Sequence, residues 1–409
     1  MVSVIATAGA SQTAVRPLRL LFFVPVCVYP VSHGGASKFT NIVWGLSERG
    51  HEVHVLSLVG DEAEREAMRS LPNVASSDSY VFPSPEKIYL SGSAVPSVVR
   101  SSYRPSIGGR VEEAIRGHAI DILQLDFTHS AAYVPNSLGR PTVLVEIDIA
   151  YRSAFRSALK QDGVLKRAFG LFDAARLYHW ELHNVSKADL VLASSEHEAT
   201  ILRRHGIARV SSAVPNGVDV AACEPRGARR ETRDILFVGH FGHPPNVDAL
   251  RHFVSKIWPQ LRAHDRELTV SVVGPGLPSD LASEVRGCGF RHAGFVDDLG
   301  AELWSHRVFI APIRLGAGTR IKLLEAAAAR CAMVSTTLGA EGLGLRDGQD
   351  ILIADRPADF ARSVERLLDD SALRARLGAS AHDSVQSRFD SPALAANLEA
   401  LYYSMLRLS

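Results

Sequence analysis

The sequence predicts an α/β protein with two doubly wound, Rossmann-like parallel sheets, and three observations support this prediction. The chain has 409 residues, more than one ordinary hydrophobic core accommodates, which suits two domains. Short apolar runs alternate with amphipathic stretches in both halves, as expected when parallel strands are joined by crossover helices. A non-periodic segment rich in Ala, Gly, Pro and Arg, residues 220–233, separates the halves and is typical of an interdomain linker.

The first domain is predicted to span residues 17–219, after a disordered leader at 1–16. It opens with an apolar strand at 18–26, followed by a turn at Gly34 and Gly35 and then by an amphipathic helix. Further strands are predicted at 52–59, 121–127, 141–148, 188–195 and 208–219.

The second domain, predicted at 234–390, repeats this alternation of strands and helices. Its strands are predicted at 234–240, 268–274, 308–313 and 332–337, and its helices near 246–262, 278–286, 319–330, 357–370 and 371–388. The closing segment, 391–409, has the pattern of an amphipathic helix, and we expect it to pack back on the first domain.

The composition excludes several classes of partner and site. Lys and Arg total 45 against 44 Asp and Glu, and the net charge of +1 gives no global attraction for nucleic acid. The four cysteines lie far apart, without metal-ligand spacing, so we expect free thiols in a reducing cytoplasm and no metal site. The longest apolar run contains two prolines and is shorter than the roughly 20 residues that a transmembrane helix needs.

The run PIRLGAGTRIKLLEAAAA is the strongest candidate for a binding site. Helical spacing places Thr319, Lys322 and Glu325 on one stripe, and apolar residues fill the rest of the helix surface. The apolar arc would pack on the sheet, so the stripe should face the cleft beyond the strand ends, where such sheets bind ligands. An ordinary surface helix with a Lys–Glu pair is the alternative interpretation.

The glycines ahead of that helix suit an anion. Gly316 and Gly318 let backbone N–H groups approach a phosphate at the positive end of the helix. Arg314 and Arg320 add charge nearby. Glu325 would repel a phosphate and is better suited to accept hydrogen bonds from ribose hydroxyls. The segment therefore predicts a site for the activated, diphosphate-bearing donor of a group-transfer enzyme.

The Gly34–Gly35 turn, also ahead of a predicted helix, is a weaker anion site of the same kind. Its alternative interpretation is a tight turn without a ligand. Neither domain carries a GxGxxG fingerprint at its first turn, which argues against hydride transfer to a nicotinamide.

The stretch 151–180 mixes Arg and Lys with Phe, Leu and Trp at helical spacing. Such a face could lie on an anionic membrane. The alternative is a helical hairpin that packs its apolar face on the first domain and leaves its basic face in solvent.

Six segments occur in a characteristic order and spacing, most densely in the second domain: PNGVD (215–219), FVGHFGHPPNVDAL (237–250), VVGPG (272–276), GFVDDL (294–299), PIRLGAGTRIKLLEAAA (312–328) and STTLGAEGL (335–343). Through them the chain resembles the GT-B glycosyltransferases of family 4, and among these the bacterial enzymes of cell-surface and exopolysaccharide assembly. The resemblance implies two Rossmann-like domains that face each other across a cleft.

The resemblance also implies retaining transfer of a sugar from a nucleotide diphosphate sugar to a glycan or lipid-linked acceptor, without a metal ion. The donor would bind the second domain and the acceptor the first. By position, Glu325 would bind the ribose, and the backbone at 294–296 would meet the base. The expected donor site comprises Gly34, Gly35, Gly239, His240, Phe295, Val296, Arg314, Gly316, Ala317, Gly318, Thr319, Arg320, Lys322 and Glu325.

Two departures from the family pattern concern the donor. The glutamate with which relatives contact the sugar falls on Ala317, so backbone N–H groups of the GAG turn would substitute and the sugar would be selected elsewhere. The Arg and Lys that follow the second domain's first strand in relatives fall on His240 and Asn246. The cations Arg314, Arg320 and Lys322 are then expected to neutralise the diphosphate. Arg314 and Lys322 are also catalytic candidates.

The acceptor side departs as well, because the usual histidine falls on Ile147. Glu146 and Asp148 flank it on one face of the strand's pleat, and Asp148 lies nearer the C-terminal mouth. Asp148 is therefore the catalytic candidate that orients the acceptor hydroxyl or takes its proton. Asp126 and His129, at another strand end, are further acceptor-side candidates. Helix capping or ion pairing is the alternative role for these side chains.

Two other functions are open at this point. An epimerase of nucleotide sugars has the same two-domain build but needs an acid and a base around one sugar ring. A catalytically inactive subunit would bind the nucleotide sugar without transferring it. In each case we expect a cytoplasmic protein, at the inner face of the membrane if 151–180 contacts lipid.

Overall fold

The computed structural model describes residues 16–31, 34–81, 96–97, 99, 106–133, 139–146, 149–223, 232–316 and 318–408. They form two α/β lobes, each built on one sheet. The first-lobe strands are β1 (Arg19–Val24), β2 (Glu52–Val59), β3 (Ser76–Val81), β4 (Ile122–Asp126), β5 (Thr142–Glu146), β6 (Leu190–Ala193) and β7 (Val210–Ser211). The second-lobe strands are β8 (Arg233–Val238), β9 (Val270–Val273), β10 (Arg291–His292), β11 (His306–Ala311), β12 (Ala332–Ser335) and β13 (Leu352–Ile353).

Both sheets are doubly wound. The first has the order β3-β2-β1-β4-β5-β6-β7 and the second the order β10-β9-β8-β11-β12-β13, with parallel pairing between the neighbouring strands. The chain reverses its direction across each sheet beside β1 and β8, and ligands of open α/β sheets bind in the crevice at this point. This is the architecture that the alternation of strands and helices predicts.

Helices cover both faces of the sheets. In the first lobe they are Gly34–Glu48, Glu62–Arg69, Ser106–Gly117, Ala150–Leu159, Val164–Val185 and Glu196–Arg204, with a 3₁₀ helix at Thr128–Tyr133. After Val220–Cys223 come Pro244–His252, Trp258–His264, Ser279–Gly287, Leu299–Ser305, Ile321–Ala328, Pro357–Asp369, Ser371–Phe389 and Ser391–Leu408. The segment predicted as a helical hairpin at 151–180 is indeed two helices, which pack closely on each other.

The helix predicted at 246–262 is interrupted by a π-helical turn, Phe253–Ile257. The turn lies directly before Trp258 and Pro259. Proline has no N–H to donate to the carbonyl four residues earlier, and its ring crowds that carbonyl, so the hydrogen-bond ladder widens here.

Four of the described strands depart from the prediction: one is shorter than predicted, and three, Ser76–Val81, Arg291–His292 and Leu352–Ile353, are not predicted. The predicted strand at 208–219 is limited to Val210–Ser211, because Pro215 cannot donate to a ladder in the following segment. The edge strand Ser76–Val81 is not predicted, since its sequence SSDSYV has no apolar alternation and only one of its residues is buried.

The predicted linker, 220–233, is partly regular structure. It begins with the helix Val220–Cys223, whose first turn is capped by the Asp219 carboxylate, 2.9 Å from the backbone nitrogen of Ala222. Residues 224–231 of the linker lie outside the described residues, as do 1–15 of the predicted leader.

The C-terminal helix, Ser391–Leu408, packs against helix Gly34–Glu48 of the first lobe. Its residues Leu394, Leu398 and Tyr402 are at most 2% exposed and belong to the hydrophobic core between that helix and the first sheet. The two helices approach closely, because a Cβ on Gly45 would lie 2.7 Å from that of Ala395. The chain thus returns from the second lobe to complete the core of the first.

Candidate functional site

The turn before helix Ile321–Ala328 requires glycine. Gly316 and Gly318 have φ values of +93° and +75°, a left-handed conformation that other residues rarely adopt. Arg320 precedes the helix with extended backbone, so the helix begins at Ile321. The prediction that Thr319 lies on the helical stripe is therefore wrong: its place is in the turn. Ala317 lies outside the described residues.

Lys322, in the first turn of that helix, reaches the end of β8. Its Nζ donates to the Val238 carbonyl and to Asn246 Oδ1, both at 2.7 Å, and lies 5.5 Å from the centre of the Phe237 ring. Burial, together with the charge of Arg320, lowers the pKa of the Lys322 ammonium to about 7 against the opposing effect of Glu325. Asn246, which occupies the position of a cation in relatives, thus fixes Lys322 instead.

The two arginines expected to meet the diphosphate are engaged within the second lobe. Arg314 forms a bidentate ion pair with Asp248, with Nη2 2.7 Å from Oδ1 and Nε 3.1 Å from Oδ2. Arg320 folds back over the turn and donates to the carbonyls of Gly318 and Leu315. A ligand would meet either guanidinium, or the Lys322 ammonium, only in exchange for such contacts, and at Arg314 the exchange would also break an ion pair.

Glu325 follows Lys322 by one helical turn and is half-buried. Burial raises the pKa of its carboxyl group to about 6, and the charge of Lys322 opposes that shift. The helix Val220–Cys223 packs against helix Ile321–Ala328 near this position, where burial and the Glu325 charge raise the pKa of the Cys223 thiol to about 12. Lys322 and Glu325 thus lie one turn apart on this helix, as the sequence predicts.

Asn216, in the PNGVD segment, is a site residue to which the sequence assigns no role. It is 1% exposed, and its Nδ2 donates to Thr319 Oγ1. Within the described part of the chain its Oδ1 has no hydrogen-bond partner, although it is buried. Asn216 therefore ties the segment leaving the first lobe to the glycine turn of the second.

Helix Ala150–Leu159 of the first lobe also reaches that turn. Arg156 Nη1 donates to the Gly316 carbonyl at 2.6 Å, and its two terminal nitrogens each lie 3.0 Å from a carboxylate oxygen of Glu341. Lys160 Nζ donates to the Arg314 carbonyl at 2.7 Å. Both cations belong to the basic face of 151–180, which we expected to meet a membrane or solvent. That expectation is wrong for Arg156, which the second lobe partly covers, whereas Lys160 stays exposed while it contacts the second lobe.

The two described acceptor-side carboxylates lie on opposite faces of the first sheet. Asp126 pairs across the sheet with Val145, so the next residue, Glu146, points the other way. Asp126 is 4% exposed and Glu146 0%. Each is the last residue of its strand, but its side chain is buried, and the acceptor-side role expected for both stays a prediction.

Asp126 belongs to a buried polar chain. The Tyr402 hydroxyl donates to Gln124 Oε1, and Gln124 Nε2 lies 3.3 Å from Asp126 Oδ2. Burial raises the pKa of Asp126 to about 6, with the charge of Lys38 opposing, and burial lowers the pKa of Lys38 to about 8. On the other face, Thr128 Oγ1 donates to Glu146. These contacts join side chains that pack on the first sheet.

The other acceptor-side predictions fall outside what is described. Ile147 and Asp148 lie outside the described residues, and for His129 the structure gives only its backbone, in the 3₁₀ helix Thr128–Tyr133. The role predicted for Asp148 stays a prediction.

The rest of the predicted donor site surrounds the carboxyl ends of the strands. Gly34 begins helix Gly34–Glu48, and Gly35 follows it. The His240 carbonyl accepts from Asn246 Nδ2 at 2.8 Å. Gly239 packs so closely on the β9 loop that a Cβ on Gly274 would lie 1.9 Å from its carbonyl oxygen.

The loop at 294–296 completes this rim of the second lobe. The Gly294 carbonyl accepts from the backbone N–H of Gly274 at 2.6 Å, which joins this loop to the one after β9. Phe295 is 55% exposed, and Val296 packs partly against the second-lobe core. The exposed aromatic ring is available to a planar group such as a base.

Two absences hold for the described ranges, with their gaps. In those ranges, His, Cys, Asp and Glu side chains form no group of three or more that could hold a metal ion. In the same part of the chain, no helix combines the length and the apolarity needed to cross a bilayer.

Comparison with known families finds a match in each lobe. Residues 33–222 match the family model described as Glycosyltransferase Family 4, and residues 232–370 match the one described as Glycosyl transferases group 1. Among curated proteins, the chain is 26% identical over 371 residues to a phosphatidyl-myo-inositol mannosyltransferase from Mycolicibacterium smegmatis, covering 86% of this chain and 89% of the relative. It is 20% identical over 386 residues to an uncharacterized 44.6 kDa protein in the cps region of Klebsiella pneumoniae, covering 89% of this chain and 95% of that protein.

Solved structures share the fold at low sequence identity. A sucrose-phosphate synthase from Thermosynechococcus elongatus superposes with a TM-score of 0.76 at 15% identity, covering 96% of this chain and 100% of that one. HepE from Anabaena in complex with UDP superposes with a TM-score of 0.67 at 14% identity, covering 95% and 100%. The likeness extends over both lobes together.

Proposed function

Because the chain belongs to the family 4 and group 1 glycosyltransferases and has their GT-B fold, we propose that it transfers a sugar, with retention of configuration, from a nucleotide diphosphate sugar to a glycan or lipid-linked acceptor. The observation that carries this proposal is the glycine turn at Gly316 and Gly318 with Lys322 and Glu325 behind it. The turn offers N–H groups to a diphosphate, Lys322 offers a charge, and Glu325 accepts from the ribose.

In the proposed reaction the bond between the anomeric carbon and the β-phosphate oxygen breaks, and the acceptor oxygen bonds to that carbon on the same face of the sugar. The acceptor proton passes to the departing phosphate oxygen or to a first-lobe carboxylate, for which Asp148 is the candidate. Lys322 and the turn stabilise the charge that develops on the diphosphate. Since protein cations compensate this charge, we propose that no metal ion is required.

Incubation of the purified protein with UDP-, GDP- and dTDP-sugars and extracts of bacterial polysaccharide intermediates tests this function. We expect one donor to be consumed only with an acceptor, equally in EDTA, and NMR of the product to show the donor's anomeric configuration. Inverted product would refute retention, and loss of activity in EDTA would refute metal independence. Conversion of the donor without an acceptor would instead identify an epimerase.

A role in surface polysaccharide assembly is the finer proposal. It is supported by the likeness to the Klebsiella pneumoniae protein, which covers nearly the whole length of both chains and is described by its place in the cps region. The mannosyltransferase relative is described as acting on a phosphatidyl-myo-inositol, which is a lipid. We accordingly propose a lipid-linked acceptor for this chain.

Contact with an anionic membrane is proposed through one exposed patch. The first half of helix Val164–Val185 exposes Val164, Leu165, Phe169 and Phe172 by 61–86% of their surface. Lys166 and Arg167, both exposed, lie among them. Apolar side chains beside cations suit the interface of an anionic membrane.

Neutralising Lys166 and Arg167 together by alanine is expected to weaken binding to anionic vesicles roughly 30-fold, at about 1 kcal/mol for each cation near the surface. Co-sedimentation with phosphatidylglycerol vesicles measures this. The matched control is Arg362→Ala with Arg366→Ala, two exposed arginines of the second lobe. Equal vesicle binding by both double variants and the unmodified protein would exclude a membrane role for this patch.

Donor affinity is expected to fall as the pH rises above about 7. The pKa of Lys322 is lowered to about 7, so at higher pH the free protein holds a neutral amine and must take up a proton to meet the diphosphate. The fall should approach tenfold per pH unit until the pKa of the bound state is reached. Titration calorimetry between pH 7 and 9 measures it with a nucleotide sugar, whose diphosphate does not titrate there. In Lys322→Arg, which stays charged, the dependence should flatten; an unchanged slope would assign it to another group.

A further inference from the structure

Four charged or titratable side chains, here called the interlobe cluster, meet beside the glycine turn. Glu341 comes from the second lobe, in the segment GAEGL, and Arg152, Arg156 and His197 come from the first. Arg156 grips the Glu341 carboxylate with two hydrogen bonds of 3.0 Å, Arg152 Nη2 lies at 3.5 Å and His197 Nε2 at 3.6 Å. Burial acts to raise the pKa of the Glu341 carboxyl group, but the hydrogen bond and charge of Arg156 and the charge of Arg152 outweigh it and hold the pKa below its usual value.

The cluster carries more positive than negative charge. Two guanidinium groups face a single carboxylate, and the side chains of all three residues are only 20–27% exposed. The excess charge lies against the donor turn, since Arg156 also donates to the Gly316 carbonyl at 2.6 Å. A partly buried excess of this kind attracts a further anion.

The second lobe by itself supplies little uncompensated positive charge to a diphosphate. Its Arg314 is neutralised by Asp248, its Asn246 is uncharged, and its Lys322 has a pKa of about 7. Arg320, the other second-lobe cation at the turn, donates to the carbonyls of Gly318 and Leu315. A further excess of positive charge lies beside the same turn on the first lobe, in Arg152 and Arg156.

We propose that Arg152 and Arg156 of the first lobe are part of the donor site and bind the diphosphate of the nucleotide donor. In the absence of the donor, the Glu341 carboxylate pairs with these two arginines. The proposal rests on the proposed function, since it concerns the same donor. Guanidinium groups bind carboxylate and phosphate with the same two-pronged geometry, so a diphosphate can replace or join Glu341 on them. The donor would then join the two lobes.

The alternative is that the cluster only ties the lobes together. The two roles differ in what Glu341→Gln should do. If Glu341 competes for the arginines, removing its charge frees them and strengthens nucleotide binding. If Glu341 only holds the two lobes together, the same change weakens the contact between the lobes and therefore weakens nucleotide binding.

Calorimetric titration with UDP, GDP and dTDP, which lack the sugar to be transferred, tests the proposal on the full chain. We expect the affinity for the nucleotide that binds the unmodified protein to fall by at least about 10-fold in Arg156→Ala. The affinity should also fall in Arg152→Ala. In Glu341→Gln it should rise by at least about threefold. Arg156→Lys keeps the positive charge but loses the two-pronged guanidinium geometry, and its affinity for the nucleotide should be intermediate. Arg69→Ala, in an exposed surface pair, is the control and should leave affinity unchanged.

Unchanged affinity in Arg156→Ala and Arg156→Lys, or weaker binding by Glu341→Gln, would overturn the proposal while leaving the donor site on the second lobe intact. Absence of binding by the unmodified protein to all three nucleotides would overturn the proposed function as well. Melting curves of each variant identify any that fail to fold, and Arg156→Lys retains the test if Arg156→Ala is one of them.

Discussion

Replacing Lys322 by alanine is expected to lower turnover of the nucleotide-sugar donor by about 100- to 1,000-fold, the usual cost of removing one preorganised group that stabilises charge in a transition state. The Lys322 nitrogen lies beside the glycine turn, where it donates to a backbone carbonyl and to an amide oxygen. Steady-state kinetics with the donor identified by screening would measure the loss.

The fold should survive this change, because a half-buried ammonium with a lowered pKa is itself costly to desolvate. Lys322→Met, which keeps the packing on Phe237, should show the same loss of turnover. Lys256→Ala, at an exposed position of the same lobe, is the control. Turnover within a few-fold of normal in both Lys322 variants would remove this residue from the mechanism.

Replacing Tyr402 by alanine is expected to lower the free energy of unfolding of the first lobe by about 3–5 kcal/mol, the range for large aromatic side chains in a core. Tyr402 is fully buried, although it lies seven residues from the end of the chain in the C-terminal helix. Its ring fills the core between the first sheet and helix Gly34–Glu48. Urea unfolding followed by circular dichroism would show the loss.

Two further variants separate packing from hydrogen bonding at Tyr402. Tyr402→Phe keeps the ring but leaves Gln124 Oε1 without its donor, and should cost about 1–3 kcal/mol. Tyr403→Ala, at the next and half-buried position, should cost less than Tyr402→Ala. If Tyr402→Ala were no more destabilising than Tyr403→Ala, the C-terminal helix would not be part of the first-lobe core.

Much of the fold follows from local patterns in the sequence. Strands such as Arg19–Val24, with its run LLFFV, are continuously apolar, as expected of parallel strands covered on both faces. The edge strand Ser76–Val81 lacks that signal because one side of it has no neighbouring strand, and it is held by its pairing with β2. The π turn at Phe253–Ile257 is also invisible to helical periodicity, which continues across it.

The glycine turn and the residues behind it are predictable because they are contiguous: Gly316, Gly318, Lys322 and Glu325 lie within ten residues. The contacts between the lobes cannot be predicted in this way, because Arg156 and Glu341 are separated by 185 positions and neither stands out in its own segment. Periodicity identified a basic face in 151–180 but could not say what covers it. The pleat likewise placed Glu146 on a face of the sheet without showing that this face is buried.

Thermal unfolding in the presence of UDP-, GDP- and dTDP-sugars bears most directly on the claim that Gly316 to Glu325 holds a nucleotide-sugar donor. One class of nucleotide sugar should stabilise the protein, by about 2.7 kcal/mol at a concentration 100 times its Kd, and should do so far less in Lys322→Ala. Equal melting temperatures with and without every nucleotide sugar at millimolar concentration would mean that this turn does not bind such a donor.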